Sequence, residues 1–339
     1  AQKTYLFYQC GTKPPSDADA MYDAVIPVPL QDGLALTQTT QIPHVEILGK
    51  RTDVKAYLDN PAYISSPCFN ELIDRGAIQI SSDMDGWLAT HPDGLIVGHP
   101  WSNPSQKNLV VISESQETTN MAIFEWQKVY ASFFNMEATA NAIFDYTFSQ
   151  YNCISSNAAL VQSGSGNSRP SVVWAYWSTW AEAWDVAECE NYYCEYARQC
   201  GTDFLSSSGG SVETGGQNYM TIDEFVAFAR DADYWVYASN DWSNVYTDNY
   251  RNRAQLKAMK SVRTRQVYDT QGSGSNSWFE QRMAEPDVVL SDFCSMVGTG
   301  TFDEDYQRVW LRNVFTQPIG IAGICTDVDA PLVTNSATC

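Results

Sequence analysis

The run Phe225-Val226-Ala227-Phe228-Ala229-Arg230-Asp231-Ala232-Asp233-Tyr234-Trp235-Val236-Tyr237 decides the fold. It reads as a short helix, an acidic joint and then an apolar strand without polar alternation. Strands covered on both faces of a parallel sheet are written this way. Two other stretches repeat the phrase. Trp87 leads through Pro92-Asp93 into Leu95-Ile96-Val97, and Trp278 leads through Pro286-Asp287 into Val288-Val289-Leu290. The three copies predict α/β units with parallel sheets. A loop tryptophan follows each of the first two strands, Trp101 and Trp242. Loops beyond the carboxyl ends of such strands are where open α/β sheets bind ligands.

Working outward, short strands are expected at 5–8, 25–28, 44–48, 77–80 and 109–112, with a helix from Pro67 to Arg75 closed by Gly76. From Ala122 the pattern turns helical. Ala140, Ile143, Phe144, Thr147, Phe148 and Tyr151 recur at three-to-four-residue spacing, which predicts one long helix. It stops before the Gly/Ser run 163–168, and Val172-Val173-Trp174-Ala175-Tyr176 opens a second set of strands. The chain therefore divides into an N-terminal α/β lobe (1–135), a linking helix (136–162), a C-terminal α/β lobe (163–317) and a cysteine-bearing tail (318–339). Each lobe is expected to hold a central, mostly parallel sheet flanked by helices. Residues 31–69 read as an insertion in the first lobe.

The 339 residues are enough for two compact lobes. Forty acidic against twenty basic side chains give a formal charge of −20, which repels nucleic acid and anionic membrane surfaces. No apolar run is long enough to span a bilayer. The chain starts at Ala1, without an initiator Met, as if a signal peptide had been removed. Nine cysteines fit an oxidising compartment. Cys189, Cys194 and Cys200 lack zinc-ligand spacing and are expected in local disulfides, while Cys325 and Cys339 would staple the tail to the body. One of the nine is left over, and the pairing stays open.

Three stretches carry a family resemblance. They are the helix-to-strand run Leu256–Tyr268, the unit Asn276-Ser277-Trp278-Phe279-Glu280 followed by 285–292, and Pro92-Asp93 with its strand. Together they resemble the helical-backbone (class III) solute-binding proteins of ABC importers, which carry vitamin B12, iron–siderophore and haem. The extra cysteines and tryptophans look like eukaryotic algal surface versions of the cobalamin-acquisition or siderophore-binding type. The resemblance implies an extracellular receptor, secreted or at the cell surface, that captures a bulky metal chelate between its lobes. A cobalamin-type corrinoid comes first and an iron–siderophore or haem is the alternative. It implies a membrane uptake partner, no intrinsic cofactor and no catalysis. A secreted carbohydrate-active enzyme and a surface-assembly protein are the competing classes. No G-x-S-x-G elbow, phosphate-binding Gly-rich loop or HExxH motif is present to support the enzyme.

Candidate ligand contacts follow from aromatic faces that stack on a planar macrocycle. Trp174 and Tyr176 share one face of their strand, with Trp174 read as core. Beyond it, Trp177, Trp180 and Trp184 have the spacing of one helical face. Tyr176, Trp177 and Trp180 could line a cleft or fill a core, and Trp184 reads as structural. Trp101 and Trp242 would present an indole from each lobe. Ser65 and Ser66 precede a helix beginning at Pro67, so they read as its cap or as amides for a ligand anion. Asn276 and Trp278 match a ligand-facing loop of the resembled family. His44, His91 and His99 all lie in the first lobe, which argues against capture of a bare metal ion. His99, beside Trp101, is the candidate axial ligand to a chelated metal.

Overall fold

The computed structural model describes residues 3–103, 106–166, 168–247, 252–300, 306–335 and 339. Strands β1 (Tyr5–Gln9) and β2 (Ala24–Val28) form a small parallel pair. The first lobe is built on five parallel strands, β3 (Leu34–Leu36), β4 (Val54–Tyr57), β5 (Gln79–Ile80), β6 (Leu95–Gly98) and β7 (Leu109–Val111), in the order β5-β4-β3-β6-β7. Leu34, Ala35, Leu36, Leu95, Ile96 and Val97 are fully buried, as a central strand covered on both faces requires.

Residues 31–69 are therefore no insertion, because β3 and β4 form the middle of this sheet. Both strands are only three or four residues long and carry too short a period to be recognised. His44–Leu48, expected as a strand, lies largely in the helix Ile42–Glu46, which has Pro43 in its first turn.

The linking helix runs from Glu137 to Ser165, about 43 Å at 1.5 Å per residue. Gly166 ends it at φ 63°, a left-handed cap that glycine adopts without penalty. The second lobe holds β8 (Ser171–Ser178), β9 (Ala183–Val186), β10 (Asp203–Phe204), β11 (Val212–Thr214), β12 (Gln217–Tyr219), β13 (Tyr234–Tyr237), β14 (Val267–Asp269) and β15 (Arg312–Asn313). Its main sheet has the order β10-β8-β13-β14-β15. β9 pairs antiparallel with the far half of β8, and β11–β12 is a separate hairpin.

The deciding phrase yields strands in its first two copies, β6 and β13. The third copy does not. Pro286–Val297 is a helix, buried almost throughout. A short apolar run buried on every side reads alike as strand or helix, and here the buried pattern continues to Val297. Trp177, Trp180 and Trp184 likewise share no helical face. β8 runs on to Ser178 and turns back, so Trp177 sits opposite Trp184 in an antiparallel hairpin.

Four disulfides are formed. Cys189–Cys194 is local, as expected for this cluster, but Cys200 reaches across to Cys294 in the buried helix. Cys68–Cys325 and Cys153–Cys339 tie the tail to the helix Pro67–Asp74 and to the linking helix. Cys10 is free and exposed. Between its two anchors the tail crosses both halves. Arg51 Nη1 donates to the carbonyls of Val328 (2.9 Å) and Ala330 (3.0 Å), and the Asn335 amide donates to Glu285 Oε1 (2.6 Å). No described helix is long and apolar enough to cross a membrane.

Candidate functional site

A cavity of about 720 Å³ opens at the carboxyl ends of β8 and β13. Tyr176 enters from β8, Ala238, Ser239 and Asn240 follow β13, and Phe279 stands on the rim. Asp185 comes from β9, Glu188 and Asn191 from the loop after it, and Gln217, Asn218 and Tyr219 from β12. All described lining residues lie between Trp174 and Phe279, in one half of the molecule. The expected grip by indoles from both lobes is not what the structure shows.

The hairpins explain how these side chains converge. Tyr176 and Asp185 face each other across the β8–β9 ladder, and the Tyr176 hydroxyl donates to Asp185 Oδ2 at 3.0 Å. Burial raises the Asp185 pKa, and the bond from Tyr176 offsets part of that rise. The β11–β12 turn is made by Gly215 and Gly216, both at positive φ. A Cβ on Gly215 would come within 2.2 Å of the Trp180 ring, so glycine lets the turn lie against that indole. The Cys189–Cys194 disulfide bounds the loop carrying Asn191, whose side chain caps the helix Tyr192–Gln199 by accepting from Tyr193 N (3.0 Å) and Cys194 N (3.1 Å). Trp174 stacks on Tyr193 with ring centroids 4.3 Å apart, and the buried Trp174 Nε1–H has no acceptor among the described residues. The wall thus combines aromatic faces with amides, hydroxyls and two carboxylates.

The sequence candidates divide sharply. Tyr176 lines the cavity. Trp180 is 64% exposed and meets Tyr219 edge-on at 6.3 Å, at the cavity's margin. Trp177 is half-buried against Trp184 at 5.7 Å and does not line it. Trp242 is 6% exposed, packed among Trp235, Tyr237 and Tyr246 in the core. Trp278 is also core, against Trp174 and Trp310. Its neighbour Phe279 reaches the cavity instead. Asn276 is half-buried and holds Asn240 through a 3.4 Å side-chain bond. Trp101 is 70% exposed in the first lobe, far in sequence from every lining residue. Pro104, read as fixing its loop, lies outside the described residues.

His99 Nδ1 accepts the Trp101 backbone N–H at 3.1 Å. That bond places the proton of a neutral ring on Nε2, whereas a metal-ligating imidazole needs a bare nitrogen while the other ring nitrogen donates. His99 is therefore not set up as an axial ligand. Among the described residues no group of His, Cys, Asp and Glu is arranged to hold a metal ion.

Ser65 and Ser66 have a partner within the protein. Their amides donate to Glu280 Oε2 and Oε1, 2.8 Å each, so the acceptor at this helix start is the chain's own carboxyl group. Ser66 Oγ also caps the helix by accepting from Phe69 N (3.2 Å) and donates to Glu46 Oε1 (2.6 Å). Glu46 is in turn paired with buried Arg51 at 2.6 Å. A smaller cavity of about 380 Å³ lies beside this junction, roofed by the tail.

Sequence reasoning missed Asp185, Glu188, Asn191, Tyr193, the 207–209 loop, the β12 residues and Phe279. Gly215-Gly216 between two short β-prone runs was the signal that could have revealed the second hairpin.

No protein-family model matches the chain. An uncharacterised lipoprotein of Methanocaldococcus jannaschii is 24% identical over 205 residues, which are 60% of this chain and 45% of that protein. The chain thus matches under half the length of that curated relative. Solved structures agree over much more. A periplasmic haem-binding protein of Pseudomonas aeruginosa superposes with a TM-score of 0.59 at 12% identity, covering 85% of this chain and 99% of that one. An ABC-type Fe3+-hydroxamate transport protein of Saccharomonospora viridis gives 0.53 at 14% identity, covering 79% and 93%. FhuD2 of Staphylococcus aureus with bound ferrioxamine B gives 0.53 at 13% identity, covering 78% and 98%. At these identities the likeness shows a shared fold, parallel-sheet cores flanked by helices with one long helix between them.

Proposed function

We propose that the protein is an extracellular solute-binding protein that captures a bulky metal chelate, an iron–siderophore or haem-type ligand, and passes it to a membrane uptake complex. The cavity at the strand ends of the second lobe carries this reading. It is large, ringed by aromatic faces and hydrogen-bonding groups, and set in a fold shared with proteins named for haem binding and ferric-hydroxamate transport. Such a pocket holds a ligand by apolar burial while a few polar groups fix its orientation. The compared structures are binding proteins, which supports capture over turnover. Cobalamin as the cargo and an algal surface origin rest on the sequence resemblance alone.

Titration with a ferric hydroxamate, haem and cobalamin, followed by tryptophan fluorescence, tests the reading. At least one chelate should quench the signal with micromolar or tighter affinity. Tyr176→Ala and Phe279→Ala should each weaken it about tenfold, or ~1.4 kcal/mol. Saturable binding by none of the three would remove the proposal. Glycan turnover would favour an enzyme, and ligand-free higher assembly a structural role.

A further inference from the structure

The cavity wall is chemically one-sided. Among the described lining residues are two carboxylates, Asp185 and Glu188, and no lysine or arginine. The remaining polar groups are neutral amides and hydroxyls: Asn191, Ser207, Ser208, Gln217, Asn218, Ser239 and Asn240, with the tyrosines 176, 193 and 219. The Arg282 guanidinium, a cation held nearby, is buried over the rings of Tyr192 (4.1 Å) and Trp278 (5.0 Å), neither of which lines the cavity. The whole chain adds a formal charge of −20 around the site. An anionic ligand entering here exchanges its hydration for a negative field and finds no lysine or arginine among the described lining residues to pair with. A cation meets carboxylates and aromatic faces, both of which attract it.

From this lining we infer that the site selects its chelate by charge, taking cationic or uncharged complexes and rejecting polyanionic ones. The inference rests on the chelate-binding reading above and names the class of ligand that reading left open. Asp185 and Glu188 are its specificity-determining residues. Asp185 is held by Tyr176 across the hairpin, and Glu188 is exposed at the mouth in the loop next to the Cys189–Cys194 bridge.

Ferrioxamine B tests it, because the pendant amine makes its ferric complex a cation. N-acetylation makes the same chelate neutral, and N-succinylation makes it anionic. Affinities for the three, measured at low salt by fluorescence or calorimetry, should fall from cation through neutral to anion, with at least tenfold between the extremes. The ratio should shrink at high salt. It should also shrink at least threefold in Asp185→Asn and in Glu188→Gln. Asparagine can still accept from Tyr176, and Glu188 is exposed, so both variants should keep the wild-type melting profile. Equal or reversed affinities across the series would overturn the inference while leaving chelate capture standing. So would an unchanged ratio in both variants, or tight binding of dianionic haem when the hydroxamates do not bind. Binding of no chelate at all would defeat the functional reading and this inference with it.

Discussion

Glu280 carries a carboxyl group from the second half of the chain onto two amides of the first. Burial pushes its pKa up to about 8, against the pull of those two amides, with the charge of Glu46 adding to the rise. Glu285, which accepts from the tail at Asn335, is raised by burial to about 7. Both groups hold protons in the folded state that the unfolded chain has already released. Their contribution is therefore fully present below the unfolded pKa of about 4.5 and is lost as pH rises through the folded values. The melting temperature should fall between pH 5 and pH 9, and Glu280→Gln should flatten part of that slope. A wild-type melting temperature that stays level or rises over the range, or a variant with an undiminished slope, would contradict this account.

At the scale of elements, the loops after β6 and β13 look alike in sequence and differ in what covers them. Trp242 begins a short helix that folds back onto Trp235 and Tyr237, whereas Trp101 stands in solvent beside His99. Trp242→Ala should cost about 3–5 kcal/mol in urea denaturation. Trp101→Ala should stay within about 0.5 kcal/mol. Comparable losses at both sites would mean that burial has been misassigned.

The elements themselves were legible where the local pattern was long or carried a cap. Ser66 before Pro67 marked a helix start, the spacing from Ala140 to Tyr151 marked the linking helix, and the acidic joints marked β6 and β13. β3 and β4 are too short to declare a period, and Val288-Val289-Leu290 is apolar enough to suit a strand or a buried helix. The site was less legible. Of its cavity-lining residues only Tyr176 was singled out as a ligand contact, because the others become neighbours through two hairpins whose pairing is not written in any single stretch.

For the whole molecule, the tail acts as a strap. Cys68–Cys325 closes a loop of 257 residues, and Cys153–Cys339 closes one of 186. Between them the strand of tail bonds to Arg51, Glu46 and Glu285 on both sides of the junction. Cross-links over such long separations limit the freedom of the unfolded chain. Replacing Cys68 and Cys325 together with serine should lower the unfolding free energy by about 2–4 kcal/mol. A double variant as stable as the parent would show that hydrogen bonding alone holds the strap.

Sequence alone determined the α/β class, the helix between two sheets and the acidic, cysteine-rich character of the chain. Each of these depends on local periodicity or on composition. Only tertiary structure decided which aromatic rings are core, which carboxyl group already occupies the amides of Ser65 and Ser66, and that the described cavity lining belongs to one half. Those outcomes depend on what distant segments bring against a residue, and burial is a property of the partner as much as of the side chain.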